Sequence, residues 1–328
     1  PPGADAQTRM TLAASGPVEV SVVVPAADEA ENLPEFVRQC ADALRDVPYA
    51  CEVVVVNDGS RDDSAAVLER LQAEYPFLRV GTHRSRRGIA DALRTAAEIA
   101  EGEILVFYPA DLQFVPAEIP RLVEPIRAGD ADIVTGTKQG EYAKAFVSGV
   151  YNRLCRLLFG IRVADLNAVK AYRRDVMGVV PPRPDWHRFI VVIAAAAGYT
   201  VTERPVTLLP RKAGTSKFGI GRIPVGVLDL LSVWFQLRFG RKPLLFFGLS
   251  GGILFGLGFL IGIASLVLRF GYGVGFRPLL TLVMMLVITG VVLFGFGFIG
   301  EMLAGAREDL RAVQRHLDEL KTELRRHS

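Results

Sequence analysis

"CEVVVVNDGSRDDS", residues 51–64, joins two kinds of chemistry. Its first half is apolar and β-branched with no polar alternation, the pattern of a strand buried on both faces. Its second half gathers Asn57, Asp58, Gly59 and Ser60 into a turn, and a helical stretch over Asp63–Glu74 follows. The turn is not a phosphate cradle, because it has neither the lysine nor the glycine spacing of a P-loop. Two readings of Asp58 stay open. It serves a ligand at the strand's carboxyl end, or it forms the turn and caps the helix after it.

The same alternation runs outward from this stretch. Apolar runs at 18–26, 78–82, 103–108 and 131–136 read as strands, separated by helical patterns at Glu31–Leu44, Gly88–Ala100 and Pro116–Ala128. Continuous apolar strands interleaved with amphipathic helices predict an α/β domain with a mostly parallel sheet covered on both faces. Ligands of such sheets bind beyond the carboxyl ends of the strands. Polar clusters fall at those ends: "AADEAEN" after the first strand, "PADLQF" after the fourth and "GTKQG" after the fifth. Acid converges there, as Asp28, Glu29, Asp58 and Asp111. Such carboxylates can accept hydrogen bonds from a base or ribose, or hold a divalent cation against a diphosphate. No GxGxxG follows a strand, so a dinucleotide site is unsupported.

The 328 residues are 50% hydrophobic, and the excess is concentrated in the last third. A net charge of +3, from 38 interspersed basic and 35 acidic residues, is too weak a bias for a nucleic-acid partner. Cys40, Cys51 and Cys155 are odd in number and lack ligand spacing, which argues against a disulfide framework or zinc site and for a reducing cytosolic setting. Residues 1–17 read as a disordered leader. Leu244–Leu268 and Leu279–Gly300 carry no charge and are each long enough to cross a bilayer of roughly 30 Å as a helix. The short connector makes them a hairpin. Arg238, Arg241, Lys242, Arg307 and Arg311 flank it on one side, which places both chain ends in the cytoplasm at the inner (plasma) membrane, against a weaker pull from Arg269 and Arg277. Arg222–Lys242 suits a helix lying in the membrane interface. In the tail, Leu303, Leu310, Leu317 and Leu324 recur every seven residues with Ala306, Val313 and Leu320 between them. The expectation is packing onto another subunit in a homo-oligomer; packing on the protein's own catalytic domain or on the bilayer is the alternative.

Seven stretches in order, "SVVVPAADEAENL", "VVVVNDGSRDDS", "RRGIADALRTA", "PADLQ", "SGVYNRLCRLLFGIRVADLNAVKAYRR", "DWHRFI" and "LPRKAGTSKFG", resemble the family 2 glycosyltransferases of the GT-A fold. Within that family they are similar to the polyprenyl-phosphate glycosyltransferases, such as dolichol-phosphate mannose synthases and bacterial undecaprenyl-phosphate glucosyltransferases. The resemblance covers Ser21 to about Leu303. It implies a GT-A domain over 18–221, an interfacial amphipathic helix over 222–243, two transmembrane helices within 244–302 and a cytosolic amphipathic helix over 303–328.

The resemblance also implies roles. Pro25, Asp28 and Glu29 would line the nucleotide pocket, with Val56 and Asp58 on base and ribose. Asp111 and Gln113 would coordinate Mg²⁺ or Mn²⁺ at the diphosphate. Lys138 and Lys144 stand where the family has phosphate-gripping arginines, and Ser148 matches a serine of the same site. Arg211, Ser216 and Lys217 would close over the sugar nucleotide or meet the acceptor phosphate. Asp165 matches an acid near the sugar; a structural salt bridge to Arg173 or Arg174 is the other reading. His187 either touches substrate or is structural, and His83 carries no signal. Pro109 replaces the first Asp of the family's metal turn, removing a carboxylate and a backbone donor together, and Asn57 replaces a common acid. The implied reaction is inverting transfer of a hexose from a nucleotide-diphosphate sugar, UDP-glucose before GDP-mannose, to a polyprenyl phosphate at the cytosolic membrane face. The departures at Pro109 and Asn57 motivate an alternative, a non-catalytic membrane scaffold.

Overall fold

The structure, a computed structural model, describes residues 16–139, 153–161, 163, 165–166, 168–181, 183, 186–210, 223–273, 275 and 277–327. It forms two compact units that divide between Val227 and Leu228.

Among the described residues of the first unit seven strands form one sheet: β1 (Val20–Ala26), β2 (Cys51–Asp58), β3 (Leu78–His83), β4 (Ile104–Phe107), β5 (Ile133–Gln139), β6 (Lys170–Arg173) and β7 (Val201–Thr207). The order is β3-β2-β1-β4-β6-β5-β7. β2 is buried at every position, as its unbroken apolar run requires. Val53 to Val56 are fully buried, each contributing about 1.5–3 kcal/mol relative to exposure. Val53 and Val55 face a core shared with Leu33, Phe36 and Val37 of α1 (Leu33–Leu44), Leu68 and Leu71 of α2 (Ser64–Glu74), and Ile119, Leu122 and Val123 of α4 (Ile119–Arg127). Val56 points the other way. With Thr95 and Ile99 of α3 (Ile89–Ile99) it closes on Gly81, where a Cβ would come within 2.6 Å of Ile99 Cδ1.

β1 pairs in parallel with β2 on one side and β4 on the other. The chain reverses its direction of travel across the sheet here, so the carboxyl ends of β1, β2 and β4 form the switch point at which such sheets bind ligands. The sequence reading misses β6 and β7. β6 is four residues, "KAYR", antiparallel to both β4 and β5. β7 carries Pro205 and is largely half-buried or exposed along its length, an edge strand with weak apolar patterning. A helical stretch at 153–159, α5 (Val176–Val179) and α6 (Ile190–Ala196) complete the described part of this unit.

Glu52, buried at the opposite end of the sheet, is a structural acid. It accepts from Ser21 Oγ at 2.6 Å, from the N–H of Glu101 at 2.5 Å and from Arg79 at 3.1 Å.

The division between units falls inside α7 (Ile223–Phe239). Asp229, Ser232 and Gln236 give this helix a narrow polar stripe on an otherwise apolar cylinder. α8 (Pro243–Tyr272) and α9 (Arg277–His327) are both long and apolar enough to cross a bilayer, and only 17% and 6% of their most apolar windows are buried inside the protein. Burial this low is unlike that of a soluble protein's core helices. Glycines bring α8 and α9 together: a Cβ at Gly251 would meet the Gly290 carbonyl at 2.5 Å, and one at Gly290 would meet Phe255 N at 2.7 Å. Glu301 accepts from the N–H of Leu244 at 3.2 Å, satisfying one orphan donor of the first turn of α8. Phe235, Phe239, Phe246 and Phe247 pack at ring separations of 4.9–5.7 Å where α7 turns into α8.

Residues 303–327, expected as a cytosolic amphipathic helix, continue the second apolar helix. α9 is one helix of 51 residues, continuous through residue 303. Its glycines at 300 and 305 each cost about 1 kcal/mol against Ala, but no proline interrupts the strong helix formers around them. The leader is outside the described residues except for Gly16 and Pro17.

Candidate active site

The loops after β1 and β2 are stapled to each other by their own polar groups. Asp28 sits in the left-handed region at φ 57°. Its N–H donates to Ser60 Oγ, and its carboxylate accepts from the Arg61 N–H at 2.8 Å and from Arg86 at 2.6 Å. The N–H groups of Glu29 and Ala30 donate to Ser64 Oγ and Asp62. Asn57 accepts from the Ser60 N–H at 3.1 Å, so the amide that replaces the family acid holds the turn. Much of the acid in these loops serves as internal scaffolding.

Asp58 shows this most clearly. Its Oδ1 accepts from the Arg87 N–H at 2.8 Å and lies 2.8 Å from His83 Nδ1; its Oδ2 accepts from the Gly88 N–H at 2.8 Å. The other His83 nitrogen lies 2.9 Å from Thr95 Oγ1. Asp58 therefore anchors the entry to α3 and does not cap α2, the helix that follows it in sequence. Burial works to raise its pKa, but the Arg87 N–H, the His83 ring and the Gly88 N–H together hold it below the usual carboxylate range. Gly59, at φ +61°, lets the two loops touch: a Cβ there would lie 2.5 Å from Arg86 N. His83, Arg86 and Arg87 escape the sequence reading, since nothing in spacing alone ties residue 83 to residue 58. Pro25 is the register partner of Val56 across β1 and β2, and Val56 buries its side chain under α3.

Beyond β4 the chain makes a tight turn. Asp111 Oδ1 accepts from the Gln113 N–H at 3.2 Å, with Leu112 between them at φ 56°. A leucine in that region costs on the order of 1–2 kcal/mol, and burial of its side chain against the core offsets it. Tyr108 locks the turn from below by donating to the Val115 carbonyl at 2.7 Å. From above, the Leu209 N–H donates to the Gln113 carbonyl at 2.8 Å, Phe114 bridges to Leu208, and Thr207 donates through N–H and Oγ1 to Glu118. The end of β7 is thus tied to the Asp111 turn. Asp111 is 9% exposed.

At the ends of β4 and β5, Lys138 Nζ lies 3.2 Å from Asp165 Oδ2. The expected alternative partners of Asp165 are engaged elsewhere: Arg173 pairs with Asp132, and Arg174 donates to the carbonyls of Ala97, Ala100 and Gly102. Thr135 Oγ1 donates to the Asp165 carbonyl. Beneath this pair, Lys170 donates to the Leu166 and Ala168 carbonyls. His187 stacks its ring edgewise on Phe107 at 6.5 Å, and its buried Nδ1 has no hydrogen-bond partner among the described residues. Burial, with Lys170 and Arg188 nearby, pushes its pKa down to about 3, so the ring is neutral. Lys144, Ser148, Arg211, Ser216 and Lys217 lie outside the described residues.

A model of the family described as "Glycosyl transferase family 2" matches residues 21–162. The chain is 31% identical, over 90% of its length and 87% of the relative's, to undecaprenyl-phosphate 4-deoxy-4-formamido-L-arabinose transferase of Pseudomonas fluorescens strain SBW25. The chain belongs to glycosyl transferase family 2. It is also 30% identical to dodecaprenyl-phosphate galacturonate synthase of Rhizobium johnstonii, over 88% of each protein. Among solved structures, glucosyl-3-phosphoglycerate synthase of Mycobacterium tuberculosis, in complex with Mn²⁺, UDP and glucosyl-3-phosphoglycerate, superposes with a TM-score of 0.54 at 17% identity, covering 72% of this chain and 85% of that one. That likeness shows the GT-A fold. Like its family 2 relatives this chain is a glycosyltransferase, and the scaffold alternative is set aside.

The family implies a divalent cation. Among the described residues no group of three His, Cys, Asp or Glu side chains could hold a metal by itself. The donors at the turn are one carboxylate, Asp111, and one amide, Gln113. That set fits Mg²⁺ or Mn²⁺ bound largely through substrate oxygens and water, and does not fit an all-protein cage.

Proposed function

We propose that this glycosyltransferase moves a sugar from a nucleotide-diphosphate sugar to a polyprenyl phosphate, with inversion at the anomeric carbon. The observation that carries the reading is the Asp111–Gln113 turn at the end of β4, tied by Leu209 to the strand that leads into "LPRKAGTSKFG". The relatives named for undecaprenyl and dodecaprenyl phosphate support the acceptor. The two helices able to cross a bilayer support it independently. A prenyl chain leaves the membrane at a cost of about 0.8 kcal/mol per CH₂, so its partner enzyme has to work at the membrane surface.

The acceptor needs little activation. Its second ionisation falls near pH 6, by analogy with a phosphorylated side chain, so at neutral pH it is already largely a dianion. No general base is assigned for that reason. The protein's tasks are alignment and neutralisation of two phosphate groups that meet. Lys138, held by Asp165, serves the phosphates, together with Lys144, Ser148, Arg211, Ser216 and Lys217. Asp28 and Glu29 line the nucleotide side, and Asp58 acts there through the loop it anchors. Asp111 and Gln113 hold Mg²⁺ or Mn²⁺, which when bound neutralises charge on the departing diphosphate. The donor we favour is UDP-linked, with UDP-glucose ahead of GDP-mannose; the relatives named for a formamido-pentose and a uronate set the range of sugars to try. The catalytic domain and both termini face the cytoplasm, and the enzyme works as a homo-oligomer.

Incubating membranes that contain the protein with radiolabelled sugar nucleotides, then extracting lipid, tests the reading. A labelled lipid made from one donor supports it. Absence of label in lipid from every UDP- and GDP-sugar would overturn it.

A further inference from the structure

Lys170 is an unusual residue to find inside this sheet. It opens β6, in register with Phe107 at the end of β4 and with Thr135 of β5, so it sits at the ligand-binding end of the strands. It is 1% exposed. Its Nζ donates to the carbonyls of Leu166 at 3.0 Å and Ala168 at 3.2 Å and lies 5.5 Å from the centre of the Phe107 ring. Among the described residues no carboxylate reaches ion-pair distance of it. Asp165, the nearest acid acting on it, is bonded to Lys138. An ammonium group buried on neutral acceptors alone costs several kcal/mol unless another charge compensates it.

We propose that Lys170 is a positioning residue whose buried positive charge is completed by a phosphate oxyanion of the substrate, bound at the neighbouring Lys138. The inference rests on the proposed transfer reaction and adds to it a residue that never touches the ligand. Lys170 acts in two ways. By gripping the Leu166 and Ala168 carbonyls it fixes the turn that presents Asp165 to Lys138. It also supplies positive potential from below, where water cannot screen it.

The groups that face it give the proposal a signature. Burial pushes the Lys170 pKa down to about 8; Asp165 acts to raise it, and Lys138 and Arg188 act to lower it. His187, the remaining titratable neighbour, is neutral throughout the working range. An incoming oxyanion favours the protonated lysine, so affinity is full below pH 8 and falls as the pH rises through it. The oxyanion has two possible sources, the donor's diphosphate and the acceptor's monophosphate. Both complete their ionisation above about pH 6, which strengthens binding as the pH rises, so neither contributes the fall.

The test is calorimetric titration of the full-length protein in detergent with Mg²⁺-UDP, Mg²⁺-GDP and a short-chain prenyl phosphate at pH 7 and pH 9. For wild type, the expected result is an affinity loss of about tenfold between the two pH values for the ligand that occupies this corner, which names the source. Lys170→Arg keeps the charge at both pH values and is expected to bind with less than a twofold change. Lys170→Met is expected to bind weakly at pH 7 already, without a further fall. A flat wild-type profile overturns the inference even if neither variant folds. So does an undiminished fall in Lys170→Arg. Failure of every ligand to bind at pH 7 instead removes the transfer reading itself, and the inference with it.

Discussion

The N–H of Leu209 donates to the carbonyl of Gln113 at 2.8 Å. That one bond joins the segment just past the edge strand β7 to the turn that carries Asp111. Around it, Glu118 accepts from both the N–H and Oγ1 of Thr207. Two segments separated by almost a hundred residues therefore move as one at the site.

Removing the outer half of this joint separates positioning from stability. Glu118→Ala loses the bonds to Thr207 at an exposed surface, where each is worth about 1 kcal/mol. We expect kcat to fall several-fold while Tm shifts by only a few degrees. An unchanged rate with an unchanged Tm would show that the joint is idle in catalysis.

Asp111→Ala is expected to abolish glycosyl transfer and leave the circular-dichroism spectrum intact, since Tyr108 and Leu209 also hold the turn. Pro109→Asp restores the second carboxylate of the family's turn and is expected to tighten Mn²⁺ binding. Wild-type turnover in Asp111→Ala, or weaker Mn²⁺ binding in Pro109→Asp, contradicts the assignment.

Asp58→Asn places an amide where three donors point at a carboxylate. A loss of about 2–3 kcal/mol is expected at neutral pH. The wild-type carboxylate is held below its ordinary pKa, so its contribution is complete above about pH 5 and disappears as the pH falls through the folded value. The gap in Tm between wild type and Asp58→Asn should thus close as the pH falls below about 5. A gap that stays constant to pH 3 would falsify the linkage.

The hairpin offers an internal control. A Cβ at Gly251 strikes the Gly290 carbonyl, whereas one at Gly252 meets nothing within 4 Å. Gly251→Val is expected to lower Tm in detergent clearly, and Gly252→Val to leave it nearly unchanged. Equal effects at the two positions would mean the helices do not pack through this seam.

The central strands were legible because β1, β2 and β4 are short apolar runs bounded by turn residues, and the Asp111 turn because its residues match the family motif in order. β6 was not, since a lysine and an arginine in four residues hide a strand whose polar ends are satisfied only in three dimensions. The same holds for Asp58. Its neighbours in sequence suggest a cap for α2, and only the fold brings His83, Arg87 and Gly88 to it. Lys170 carried no signal either, because its partners are main-chain carbonyls that composition cannot reveal. Asp165 was named from the family motif with Arg173 or Arg174 as its partner, and its bond to Lys138 depends on how β5 and β6 align.

The unbroken course of α9 has a mechanical consequence. At about 1.5 Å per residue its 51 residues extend roughly 77 Å, more than twice the hydrocarbon thickness. A stiff rod of that length transmits rotation as well as reach. Adding one residue after Gly300 would swing every later side chain by about 100° around the axis, while adding seven would return them almost to phase. The leucines at 303, 310 and 317 keep a compass bearing set by the apolar stretch before them.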